Sequence, residues 1–256
     1  MRSLTEAWRA FLIAGRFLTR LPFPDPGLPS AAEPARGALF YPVVGLVIGA
    51  LLTGSAVLLQ QAPTLAAAAL LLILWVWLTG GLHLDGLADC ADAWVGGLGS
   101  RERTFAILKD PHTGAMGVIT LVLALLAKLA ALATLLEQGA LLALLWLPAL
   151  ARAQLLALPL TTASARAKGL GAALRQHLPR RAAWTVLLLT WLVALVSLAP
   201  SLGVIAPVLA AVALLVLWAA RRAMGERLGG FTGDTAGALV ELTEIALLLT
   251  LVLLPV

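Results

Sequence analysis

Charge, cysteine and alternating apolar patterns are all scarce in this chain. Only 12% of its 256 residues are charged, while 61% are hydrophobic, and the mean hydropathy is +0.98. An ordinary soluble domain carries about 25% charged residues, so a soluble globular class is excluded. The lone cysteine, Cys90, rules out an intramolecular disulfide. With no second thiol it is a poor metal ligand and reads as a small packing residue. Apolar residues come in blocks instead of alternating, which excludes a membrane β-barrel. No cleavable signal peptide is expected, because Glu6, Arg9 and Arg16 interrupt the first apolar residues. No internal repeat or second domain is visible.

The blocks themselves predict an all-α, polytopic membrane bundle forming a single domain over residues 1–256. Crossing the hydrocarbon core takes roughly 20 apolar residues. Seven stretches qualify or nearly so: Leu39 to Leu59, Thr64 to Thr79, Gly117 to Leu136, Ala140 to Leu160, Trp184 to Leu198, Gly203 to Ala220 and Thr235 to Leu254. In the first, Gly45 and Gly49 form a small-residue pattern that permits close helix contact. Residues 1–21 mix apolar side chains with arginines and are expected to form an amphipathic helix in the headgroup region, ended by Pro22, Pro24 and Pro26.

A cytoplasmic N-terminus puts sixteen of the eighteen basic residues on the inside; the other two, Lys128 and Arg152, fall within spans. This matches the positive-inside rule. It assigns the net charge of +5 to cytoplasmic loops, with no nucleic-acid partner. A multi-pass protein of the inner membrane with a cytoplasm-facing site is the expected location.

Residues 80–117 carry the strongest chemical pattern. Asp85, Asp89 and Asp92 are spaced by four and three. On a helix they lie within about 60° of one another, making a stripe of like charge in nearly apolar surroundings. Such a stripe calls for a cation, and hard oxygen ligands favour magnesium, manganese or calcium. His83 is about 160° from Asp85 on the same wheel and need not share the metal. The following loop, Lys109-Asp110-Pro111-His112-Thr113-Gly114, opens an apolar helix whose first N–H groups are candidates for phosphate oxygens. A third polar turn, Gly229 to Gly237, carries Asp234. Ionisable groups inside spans mark functional sites by default, so Lys128, Arg152, Glu241 and Glu244 are expected to share one polar cavity with the aspartates. An ion pair holding helices together is the competing reading for Lys128 and Arg152. The combined pattern suggests metal-assisted phosphoryl transfer, in which a metal and basic side chains neutralise a diphosphate.

At this point the residues resemble a known family. HLDGLADCADAW at 83–94 and ILKDPHTGAMG at 107–117 look like the signature of cobalamin synthase, the adenosylcobinamide-GDP ribazoletransferase family. FLTRLPFP at 17–24, FYPVVGLVIG at 40–49 and GGFTGDTAGALVELTE at 229–244 resemble it in the same order. The chain departs from the family pattern at Cys90, where Ser or Thr is usual, and at Pro111-His112, where Ser-Arg is more frequent. The resemblance implies a Mg2+-dependent enzyme that joins adenosylcobinamide-GDP to α-ribazole, or its 5′-phosphate, and releases GMP. The ribazole 3′ hydroxyl would attack the phosphorus on the cobinamide arm. It implies Asp85, Asp89 and Asp92 as metal ligands. Lys109 and Asp110 become diphosphate or second-sphere groups, and Lys109, His112, Arg152, Asp234, Glu241 and Glu244 substrate-facing groups. Asp92 and His83 are the candidates for the base. A homo-oligomer, or a complex with other cobalamin-assembly enzymes, is compatible with this reading.

Two other classes remain open on the residues. A CDP-alcohol phosphotransferase or a prenyltransferase also uses aspartate-rich helices, but only Asp85-Gly86 of the former signature is present. A cation-coupled transporter would place its carboxylates near the midplane of repeated, broken helices.

Overall fold

Glycine decides where the apolar blocks bend and where they touch. The computed structural model describes residues 2–30 and 32–254, with side chains from residue 5 onward. The side chain of Arg2, counted above with the basic residues, therefore lies outside the described residues. The helices are α1 (Arg2–Leu18), α2 (Glu33–Gly37), α3 (Tyr41–Leu58), α4 (Thr64–Thr79), α5 (Leu82–Gly96) and α6 (Arg101–Ile107). They continue as α7 (Ala115–Glu137), α8 (Leu141–Thr161), α9 (Leu170–His177), α10 (Arg180–Leu202), α11 (Ile205–Leu228) and α12 (Gly233–Leu253).

Six helical segments are long and apolar enough to cross a membrane: α2–α3 together, α7, α8, α10, α11 and α12. The α4–α5 pair makes a seventh if taken as one broken span. This agrees with the expected all-α polytopic bundle of about seven spans. The second span does not run straight into the aspartate stretch, however. The chain turns by 88° between α4 and α5. Gly80 and Gly81 make the corner with φ of 63° and 70°, a left-handed pair that only glycine adopts without strain.

Helix α8 is the axis of the bundle. Residues 146–160 are buried without a break, as expected of a helix that is apolar all round. It packs most closely on α3. A Cβ at Gly45 would lie 2.5 Å from the Ala149 Cα, and one at Gly49 would lie 2.0 Å from the Leu145 carbonyl oxygen. The two glycines therefore do what their spacing suggests: they let two backbones meet. Gln154 ties α8 to α11 by donating to the Ala213 carbonyl at 2.8 Å. On the outside, α10 exposes Leu188, Leu189, Leu192, Val193 and Val196, and α11 exposes Leu214, Leu215 and Trp218. Apolar surfaces of this extent suit lipid contact.

Helix α1 packs one face on the bundle. It exposes Trp8 and Phe17 but buries Leu12, Ala14 and Leu18 against the protein. Arg9 pairs with Glu33 and donates to the Leu28 carbonyl at 3.1 Å, which holds the proline-rich turn against α1.

The loops that follow α5, α8 and α11 meet at one end of the bundle. Ala165 N–H donates to the Phe231 carbonyl, and Phe231 N–H to the Ala163 carbonyl, both at 2.9 Å. Arg227 reaches from α11 to the Trp94 carbonyl at 2.9 Å and the Thr104 hydroxyl at 3.0 Å. The basic loops, grouped by charge in the sequence, are thus grouped in space.

Candidate active site

Helix α5 lies across the start of α12. The crossing is close because two glycines form it. A Cβ at Gly86 would stand 2.6 Å from the Asp234 carbonyl oxygen, and one at Gly237 would stand 3.3 Å from the His83 Cα. Asp85 and Asp89 are thereby brought beside Asp234, which sits in the first turn of α12. Thr232 caps that helix, its hydroxyl accepting from Thr235 N–H at 3.2 Å. A carboxylate in a first turn is stabilised by the helix dipole. Asp234 also faces the Arg166 guanidinium at 3.6 Å.

Asp85 and Asp234 border a cavity of about 330 Å³ that is also lined by Arg166, Lys168 and the buried His83; Asp89 is not part of its lining. Carboxylates come from α5 and α12, and the cations come from the loop after α8. Asp85 is exposed and Asp89 half-buried. Neither carboxylate has a hydrogen bond or ion pair among the described residues. No three His, Cys, Asp or Glu side chains among the described residues stand close enough to hold a metal by themselves. The donor chemistry nonetheless suits magnesium, which commonly takes one or two carboxylates and completes its shell with water and substrate phosphates.

Asp92 is separated from its two neighbours by what it binds. Its carboxylate accepts from Gly114 N–H at 2.7 Å and from Gly117 N–H at 2.9 Å. It therefore caps α7 from a different helix. The glycines are needed there, since a Cβ at either would fall within 2.6 Å of that carboxylate. Two of the N–H groups expected to receive phosphate oxygens, those of Gly114 and Gly117, are thus taken by an aspartate of the same chain.

Lys109, Asp110 and His112 are exposed on the loop before α7 and do not line the cavity. Asp110 accepts from the His112 backbone at 3.0 Å and contacts its ring at 2.7 Å. These bonds hold the Asp110 carboxyl below the usual carboxylate range, the backbone bond contributing most.

The expected single polar cavity is divided in two. Lys128 on α7 pairs with both Glu241 and Glu244 on α12, and Arg152 on α8 pairs with Glu244. All four are buried, Arg152 and Glu244 completely. The cluster holds two cations and two anions, so it is neutral and closed. Lys128 also lies 4.8 Å over the Trp75 ring. Arg152, Glu241 and Glu244, expected to face substrate, instead pair with one another and with Lys128, although the Arg152 Nε has no hydrogen-bond partner. His83 joins the two regions. It lines the cavity, and its Nδ1 lies 3.4 Å from Arg152 Nη2. Arginine has no lone pair to offer, so the contact fits a neutral ring that accepts at Nδ1 and carries its proton on Nε2.

Arg166, Lys168 and Phe231 were not singled out from the sequence as site residues. In the sequence Arg166 and Lys168 are two of the sixteen basic residues that the charge count puts on the inside. Their place opposite Asp85 depends on the seam between residues 163–165 and 231.

Comparison with known proteins adds a separate line of support. A family model described as cobalamin-5-phosphate synthase matches residues 10–252. The chain is 52% identical over 243 residues to the adenosylcobinamide-GDP ribazoletransferase of Pseudomonas fluorescens (95% of this chain, 99% of the relative). It is 54% identical over 244 residues to the protein of that name from Pseudomonas syringae (95% and 99%). Against the one from Pseudomonas aeruginosa it is 51% identical over 252 residues (98% and 100%). No solved structure matches it significantly. With nearly its full length matched, and with the aspartate helix, the α7 cap and the start of α12 assembled at one end of the bundle, this chain belongs to the cobalamin-5-phosphate synthase family.

Proposed function

We propose that this protein transfers the adenosylcobinamide-phosphate group of adenosylcobinamide-GDP to α-ribazole, or its 5′-phosphate, and releases GMP. We place it in the inner membrane with the site open to the cytoplasm and dependent on Mg2+. The observation that carries the reading is the cavity at the α5–α12 crossing, where carboxylates face arginine and lysine. Cleaving a diphosphate requires a pole for cations and a pole for anions. Names of relatives at about half identity supply the substrates.

Asp85 and Asp89 are the groups that would hold the metal, with Asp234 opposite. Magnesium, when bound, supplies charge neutralisation at the diphosphate. The chain's own residues do the rest. The α5–α12 crossing fixes the spacing of the carboxylates. His83, held by Arg152, presents a neutral ring to the cavity. Asp92 has both oxygens engaged by backbone N–H groups, so its role in this reading is to seat α7 rather than to take a proton. The neutral, closed cluster around Lys128 offers no path for an ion, which weighs against the transporter reading.

The test is an assay in sealed membrane vesicles of both orientations, with adenosylcobinamide-GDP and α-ribazole and with magnesium present or chelated. GMP should form only in inside-out vesicles, only with ribazole, and only with the metal. Asp85→Asn and Asp89→Asn should each lower turnover by about 10²- to 10³-fold, the scale for removing one charge-stabilising group, while still inserting. Metal-independent GMP release, or near-normal turnover in both variants, refutes the proposed site.

A further inference from the structure

The loop joining α8 to α9 is stitched in place and carries an arginine whose bonding is incomplete. Its backbone is held by the paired Ala163, Ala165 and Phe231 bonds. The seam is tight: a Cβ at Gly230 would lie 2.3 Å from the Ala163 carbonyl oxygen. From this fixed base Arg166 projects along the cavity, with its guanidinium 5.9 Å over the Phe105 ring. Its Nε and Nη2 are shielded from solvent and have no hydrogen-bond partner. Asp234, at 3.6 Å, is close enough to attract but too far to bond. Shielded donors without acceptors are costly, and the Arg166 side chain as a whole is 39% exposed, so a turn of the guanidinium would bring these donors to an acceptor in the cavity. Lys168, two residues on, borders the same cavity and has no ion pair among the described residues.

We infer that Arg166 and Lys168 form the anion-binding wall of the site, taking the diphosphate oxygens of the substrate, with Asp85 and Asp234 bordering the same cavity as the carboxylate side that would hold a metal. The inference rests on the proposed function for the identity of the ligand. Guanidinium and phosphate match as planar fork and paired oxygens. The cavity, about 330 Å³, is near the lower end of small-ligand pockets, about 300–1,000 Å³. It therefore suits the diphosphate end of the substrate. Arg166 offsets the charge of Asp234, and a bound diphosphate would take its two unpaired donors.

Two measurements on the purified full-length protein in detergent test this. The first is calorimetric binding of inorganic pyrophosphate in the presence of Mg2+, which needs no turnover. The second is steady-state kinetics with adenosylcobinamide-GDP. Arg166→Gln should weaken pyrophosphate binding, and raise KM for adenosylcobinamide-GDP, by about ten- to hundredfold, the scale of a lost charged hydrogen bond. KM for ribazole should be unchanged, and Arg166→Lys should recover part of the loss. Lys168→Gln, at an exposed and unpaired position, keeps the test independent of folding and should weaken pyrophosphate binding by several-fold. If both Gln variants bind pyrophosphate like the unaltered protein, or if Arg166→Gln lowers kcat with KM unchanged, the anion wall is refuted while the proposed reaction stands. If pyrophosphate binding depends on Arg166 but no GMP forms with ribazole, the wall is supported and the proposed reaction falls. Failure of the unaltered protein to bind pyrophosphate overturns the inference.

Discussion

Aspartates that look equivalent on a helical wheel have different work in the folded chain. Asp85 and Asp89 keep their lone pairs free, while Asp92 spends both oxygens on the first N–H groups of α7. Helix starts leave such donors unmet, and Gly114, the residue before α7, has no side chain with which to cap them. A carboxylate imported from α5 supplies the cap and locks the two helices together. Asp92→Ala is therefore expected to lower stability by about 2–3 kcal/mol, the loss of hydrogen bonds to a charged group, and to expose the 108–114 loop. Thermal unfolding in detergent and limited proteolysis at Lys109 measure the two effects. Spacing identified the stripe as one face of a helix. It did not distinguish its members, because a cap donated across 22 residues leaves no local pattern.

At the scale of elements, glycines set the geometry that positions the site. The Gly80-Gly81 corner turns α5 by 88° from α4, so the aspartates lie across the bundle end rather than along a span. Gly86 and Gly237 then let α5 meet α12. The same principle builds the bundle at α3 and α8, and it can be tested there away from the site. Gly49→Val should place a side chain where the Leu145 backbone stands, its Cβ position only 2.0 Å from that oxygen, and destabilise by about 3 kcal/mol or more, the upper range for overpacking. Gly54, on the same helix, has nothing within 4 Å of its Cβ position, and Gly54→Val should be tolerated. Thermal midpoints of the two variants in detergent give the comparison. The small-residue spacing in α3 was legible in the sequence. The 88° corner was not, since adjacent glycines signal a break without specifying its angle.

Across the whole molecule, charge is sorted into an open set and a closed set. The open set borders the cavity. The closed set, Lys128, Arg152, Glu241 and Glu244, joins α7, α8 and α12 in the interior. Buried charges are costly singly and tolerable only when matched. Glu244→Gln leaves Lys128 and Arg152 with one remaining carboxylate, and it should destabilise the protein by about 3–5 kcal/mol. The double change Lys128→Met with Glu241→Leu keeps the Arg152–Glu244 pair balanced and should be much milder. The check is the thermal midpoint and the amount of protein recovered in membranes. A Glu244→Gln protein as stable as the original would show that the cluster is not what holds these helices together.

The sequence by itself determined the class of molecule: apolar blocks too long and too poor in charge for water demand a helical membrane bundle, and basic residues confined to alternate loops demand that those loops share an end. It also marked the aspartate helix and the start of α12 as the chemical region, because carboxylates gathered on one stripe in apolar surroundings stand out in a chain so poor in charge. Tertiary structure alone decided which carboxylates are free, which charges are closed away and which loop supplies the arginine. Those outcomes depend on partners separated by 22 to 116 residues. Hydrogen bonds and ion pairs are short-ranged, so their partners are chosen only when the helices have packed.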